Sequence, residues 1–127
     1  LNREKFKSEN LLAVLNNPES NANKNLKYLR NAMDVRSKLK QFHPCSQMKC
    51  LSKGRSDIVV IKRGKGPESV FAIHNMTENK INYQLNDNDL PKIIDNDFNT
   101  QDFLTSTKYN CKNISLDPFQ VIWLSAL

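Results

Sequence analysis

The feature that most constrains this chain is a series of short β-rich runs in its second half, each closed by turn residues. Ser56-Asp57-Ile58-Val59-Val60-Ile61-Lys62-Arg63 is followed by Ser69-Val70-Phe71-Ala72-Ile73-His74-Asn75-Met76-Thr77 and by Ile81-Asn82-Tyr83-Gln84-Leu85. Ile114-Ser115-Leu116-Asp117-Pro118-Phe119-Gln120-Val121-Ile122-Trp123-Leu124 closes the series. Such runs, separated by Gly, Pro, Asn and Asp, specify an antiparallel all-β module. Strands are expected near 47–52, 56–62, 69–75, 80–85, 108–115 and 119–124, with Gly64-Lys65-Gly66-Pro67 turning a hairpin between the second and third. The segment 86–103 reads as a polar loop with a short strand at Ile93-Ile94, and Pro118 stands just before the last strand, where a missing N–H is tolerated.

The first 43 residues follow a different period. Ser8 is the expected N-cap of a short helix carrying Leu11, Leu12 and Leu15, stopped at Asn16-Asn17-Pro18. Ser20 or Asn21 opens a longer one, in which Leu26, Leu29, Ala32, Met33, Val35, Arg36 and Leu39 include the i, i+3, i+4, i+7 spacing of an apolar stripe. It ends before Phe42-His43-Pro44, because the residue preceding a proline resists the helical region. The natural domain boundary falls at residues 43–46.

At 127 residues the chain can bury one modest core. No apolar run reaches the roughly 18 residues of a membrane-spanning helix, and the charged first ten residues, opening on Leu1, do not resemble a signal peptide. The chain reads as a fragment or processed product. Cys45, Cys50 and Cys111 lack the density of a disulfide framework and are expected as free thiols in a reducing compartment. Asn75-Met76-Thr77 and Asn113-Ile114-Ser115 match the glycosylation sequon, a pattern expected by chance in so Asn-rich a chain. Residues 1–55 hold 12 Lys/Arg against 4 Asp/Glu, whereas 56–127 hold 7 against 9. The scattered lysines lack the interleaved aromatics of a nucleic-acid platform, so a solvated face is expected instead, with no nucleic-acid partner.

Several constellations bear residue types that can carry chemistry. Cys45 and Cys50 with His43 and Cys111 are spaced too loosely for structural zinc and read as buried or half-buried thiols. Asp87, Asp89, Asp95 and Asp97 lack the glycine and terminal glutamate of an EF-hand loop and read as a solvated loop. His43 and His74 have no triad partners, and His74 fits a partly buried strand position. Gly64 and Gly66 serve a hairpin rather than a phosphate loop, and Trp123 reads as core. No metal or cofactor is called for, and no complete active site is visible.

Three passages together resemble one family. Leu1-Asn2-Arg3-Glu4-Lys5-Phe6 is similar to the Asn-Arg-Glu segment of sucrose-phosphorylase-like enzymes, a branch of the α-amylase superfamily, glycoside hydrolase family 13. Leu26, Leu29, Met33, Val35 and Arg36 followed by Gln41-Phe42-His43-Pro44 resemble that branch's final barrel helix and its Ala-Phe-His-Pro exit, with Gln41 in the place of Ala. Val70 through Asn75 to Thr77, and Leu116-Asp117-Pro118-Phe119-Gln120-Val121-Ile122-Trp123-Leu124, resemble two strands of the C-terminal β domain. The resemblance implies an α+β fragment: residues 1–43 as the last helices of a (β/α)8 barrel, and 44–127 as an antiparallel, Greek-key-like β domain.

It further implies a cytoplasmic glycosyltransferase of carbohydrate metabolism. An aspartate nucleophile and a glutamate acid would work by double displacement, delivering glucose from an α-glucoside to phosphate as α-glucose 1-phosphate. Neither carboxylate motif occurs in this chain; both would belong to the missing N-terminal barrel, and the fragment alone is expected to be inactive. Arg3 alone carries a substrate role by this resemblance, pairing with an acidic residue and holding the donor glucose. A non-enzymatic carbohydrate-binding or interaction β module is the alternative, and would need Tyr83, Tyr109 or Phe119 as an exposed platform.

Overall fold

The computed structural model describes residue 5 and residues 7–90 and 99–125. It divides into two compact units, Leu1–Arg36 and Ser37–Leu127. Arg3 and the expected strand at Ile93-Ile94 lie outside the described residues.

In the first unit α1 spans Ser8–Asn16, and α2 begins at Asn21 and runs to Lys38. Ser8 is the first helical residue and not the cap; Lys7 holds that position with no side-chain cap bond. Ser20, in contrast, caps α2 as expected. Its Oγ accepts the Asn23 N–H at 3.1 Å and donates to the Val14 carbonyl at 2.6 Å, so one hydroxyl joins the end of α1 to the start of α2. Asn23 adds a second tie, donating Nδ2 to the Leu15 carbonyl. These bonds satisfy carbonyls that the end of α1 leaves without an intrahelical partner. Neither helix buries a residue; Leu29 and Met33 of the apolar stripe are 56% and 62% exposed. Among the described residues no helix is long and apolar enough to cross a membrane.

The second unit holds β1 (Met48–Cys50), β2 (Ile58–Arg63), β3 (Val70–Asn75), β4 (Ile81–Tyr83), β5 (Asn99–Gln101), β6 (Lys108–Asn110), β7 (Ile114–Leu116) and β8 (Val121–Ser125). The main sheet is antiparallel in the order β1-β2-β3-β8, with β4-β7 and β5-β6 as two further antiparallel pairs. β8 returns beside β3 after the β4–β7 excursion, so the main sheet is an antiparallel meander with an insertion. The expected Greek key would instead place the returning strand beside β1. The expected strand at 108–115 is two strands, because Asn113 N–H bonds back to the Asn110 carbonyl and turns the chain between them. No strand was expected at β5, which forms in a polar run and is tied to β8 by a Thr100 hydroxyl bond to the Ser125 carbonyl.

Strand alternation builds the core. Ile58 and Val60 of β2, Phe71 and Ile73 of β3, and Ile122 and Leu124 of β8 share one face and are fully buried. Leu85, Cys111, Ile114 and Leu116 close over them from the second layer. β3 is buried on its other face as well, through Val70 and Ala72. The segment after α2 covers that side. Arg63 donates to the carbonyls of Gln41 and His43 at 3.1 and 2.8 Å, Gln41 Nε2 donates to the Glu68 carbonyl, and Phe42 packs on Trp123 with ring centroids 4.6 Å apart. Trp123 is therefore half-buried on the outer face of β8 and outside the inner core.

Candidate functional site

Among the described residues the candidates read from the sequence do not converge on one site. Cys45 and Cys50 are exposed, contrary to the expectation of buried thiols, and Cys111 is fully buried. Cys45 and Cys50 are exposed because one follows a short turn and the other lies on an edge strand whose residues all face solvent. Among the described residues no group of three or more His, Cys, Asp or Glu side chains is placed to hold a metal. Burial pushes the Cys111 thiol up to about 11. Because the thiolate is the nucleophile, a maleimide at pH 8 should label two thiols of the native chain quickly. Cys111 should react about a hundredfold more slowly until the chain is unfolded, a difference that mass spectrometry of the labelled chain reads directly. Rapid triple labelling would show that the β unit opens.

His74 sits on the outer face of β3 opposite Val59 and Val121, and burial lowers its pKa. Of the three candidate aromatics, Phe119 is the exposed one, at 65%. Tyr83 is half-buried with the Arg55 guanidinium 5.6 Å from its ring centre, and Tyr109 is half-buried with its hydroxyl accepting from Gln120 at 2.9 Å. Both are occupied in packing, so no shared platform forms.

The aspartates of the polar loop differ most from expectation. Asp89 is not solvated; it is 9% exposed and its Oδ1 lies 2.7 Å from Lys49 Nζ. The cause is a cross-strand pair: Lys49 on β1 stands directly opposite Lys62 on β2. Like charges so placed repel, and Asp89 is inserted against both, its carbonyl accepting from Lys62 Nζ at 2.5 Å. Asp87 pairs with Lys112, and Asp95 and Asp97 lie outside the described residues. Burial lowers the pKa of Lys62, whose ammonium also lies 5.4 Å from the centre of the Phe71 ring.

Two cavities adjoin the turn between β2 and β3. The smaller, about 190 Å³, is lined by Gln47, Lys49, Lys62, Lys65, Asn88 and Asp89 together with Gly64 and Gly66. The larger, about 480 Å³, is lined by Gln41, His43, Cys45 and Glu68 among others and shares Gly64 and Lys65 with the first. Gly64, which lines both, is required there. Its φ is +83°, and an added Cβ would come within 2.9 Å of Gln41 Cγ.

Two polar knots escaped the sequence reading. Asp102 is fully buried; its Oδ1 accepts from the N–H groups of Trp123 and Leu104 at 2.7 and 3.2 Å, and its Oδ2 from Thr105 N–H and hydroxyl at 3.1 and 2.6 Å. The spacing Asp102-x-x-Thr105 was the available signal, since such pairs close local turns. Asn75, 2% exposed, donates Nδ2 to the carbonyls of Asn79 and Asp117 at 2.7 and 2.8 Å and accepts the Thr77 N–H and hydroxyl, each at 2.9 Å. The sequon at Asn75-Met76-Thr77 is thus a structural staple.

The fold of this chain is found as part of larger solved proteins. The crystal structure of AmyP in complex with maltose aligns with 84% of this chain and 21% of its own at a TM-score of 0.67 and 16% identity. Bacillus licheniformis trehalose-6-phosphate hydrolase, as a variant in complex with PNG, aligns with 88% of this chain and 20% of its own at a TM-score of 0.60 and 17% identity. The same hydrolase in a second crystal structure covers 89% of this chain at a TM-score of 0.51 and 19% identity. The likeness is one of fold, and the chain spans about a fifth of the length of these enzymes. No protein-family model and no curated protein matches the sequence.

Proposed function

We propose that this chain is the C-terminal part of a larger α-amylase-superfamily enzyme that acts on α-glucosides, of the sucrose-phosphorylase-like branch. The observation that carries the reading is the alignment of 84% of the chain with one fifth of a maltose-bound enzyme. In the parent, an aspartate and a glutamate of the barrel would form and resolve a glucosyl-enzyme intermediate, and phosphate would accept the sugar. Within this chain Arg3 would be the one residue reaching the donor glucose, where a guanidinium fork makes directional, charge-assisted bonds to a carboxylate or sugar hydroxyl. The exposed apolar stripe of α2 would lie against the rest of the barrel, and the β unit would cover and stabilise it. The parent would work in the cytoplasm, where free thiols such as Cys45 and Cys50 persist.

The test is to isolate the native polypeptide containing this sequence, weigh it, and assay it with sucrose and phosphate. A mass several times 14.6 kDa with phosphate-dependent release of α-glucose 1-phosphate is the expected result. Glucose release without phosphate would place the parent among the hydrolases instead. A mass of 14.6 kDa and no turnover of any α-glucoside would overturn the reading altogether.

A further inference from the structure

We propose that the cavity beside Lys49 and Lys62 is a binding site for a phosphate group, free or as a monoester, seated among Lys49, Lys62 and Lys65. The inference is independent of the parent's activity. It starts from the charge balance of the smaller cavity. Lys49, Lys62 and Lys65 face one carboxylate there, that of Asp89, among the described residues lining it. The cavity is therefore short of negative charge by about two, which is the charge a phosphate monoester carries above its second pKa of about 6.

Geometry supports the same ligand. The register that sets Lys49 opposite Lys62 holds two ammonium groups at one wall, and each group has three donors. Asp89 takes one from Lys49 and one from Lys62, leaving two on each. Lys65, in the turn between β2 and β3, contributes to both chambers, and Gly64 and Gly66 present no side chain to obstruct the cavity. The partly desolvated Lys62 gains most from such a counter-charge, because attraction strengthens as water is excluded.

Calorimetric titration of the full chain with phenyl phosphate and with inorganic phosphate tests the site. Phenyl phosphate should bind with a Kd of about 1 mM or tighter; inorganic phosphate binding as tightly would make the free anion the ligand, and weaker binding the ester. Lys62→Met should weaken it by about fivefold, the scale of one screened charge contact. Asp89→Asn should act in the opposite direction and tighten it, whereas Lys53→Met and Asp87→Asn, which alter charge away from the cavity, should leave it unchanged. Weakening by Lys53→Met as large as that by Lys62→Met, or no heat of binding at about 10 mM of either ligand, would each overturn the proposal. If Lys62→Met fails to fold, the sign of the Asp89→Asn effect decides.

Discussion

Replacing Asp102 by alanine is expected to destabilise the β unit by about 3 kcal/mol, because the substitution strands buried donors that nothing else can satisfy. The carboxylate serves three backbone N–H groups and one hydroxyl, and two of those donors, on Leu104 and Trp123, lie in the packed part of the unit. Each unsatisfied buried donor costs about 1–3 kcal/mol. Thr105, which is exposed, can turn to water and should add little. Asp102→Asn should cost less, about 2 kcal/mol, since one oxygen survives while the new amide faces donors on the other side. Thr105→Val should cost about 1 kcal/mol, the net worth of a single bond. Urea unfolding followed by tryptophan fluorescence would read this order, as Trp123 adjoins the knot. An Asp102→Ala chain within about 1 kcal/mol of wild type would mean that water enters and replaces the carboxylate.

The second large effect is at Asn75, and its signature is that aspartate should be worse than alanine. Asn75 uses both ends of its amide. Nδ2 gives one proton to Asn79 and one to Asp117, while Oδ1 receives two from Thr77. Alanine removes these bonds and leaves the two carbonyls and the Thr77 donors to find water, a loss of about 2 kcal/mol. Aspartate keeps the shape and places an anionic oxygen under 3 Å from two carbonyl oxygens, converting attraction to repulsion in a buried place. About 4 kcal/mol is expected, the scale of leaving a buried charge without its partner. The midpoints of thermal unfolding should fall in the order wild type, Asn75→Ala, Asn75→Asp. The reverse order of the two variants would show that the end of β3 relaxes enough to hydrate the side chain.

How much of this was legible in the sequence depends on whether the cause was local. β2, β3 and β8 were readable because alternation and β-branched residues express themselves within the strand, and Ser20 was readable as a cap because its partner Asn23 is three residues away. β5 was not, since Asn99-Thr100-Gln101 has no apolar residue and is held by β8, more than twenty positions later. Asp89 looked like one of several solvated aspartates because its environment is set by Lys49 and Lys62, which only the β1–β2 register brings together. The two cavities were invisible for the same reason: their walls come from the segment after α2, the β2–β3 turn and the loop after β4. Arg3, the one residue given a substrate role by resemblance, lies outside the described residues.

The buried amide of Asn75 also bears on where such a chain can be made. A ribosome feeding a secretory channel exposes Asn75-Met76-Thr77 before β8 has been synthesised, so the side chain is presented unfolded to any enzyme that glycosylates sequons. A glycan added then would occupy the nitrogen that later binds Asn79 and Asp117, and the end of β3 could not close. Folding and glycosylation compete for one atom, and a cell that glycosylates cotranslationally would lose this domain in proportion to how often the modification comes first.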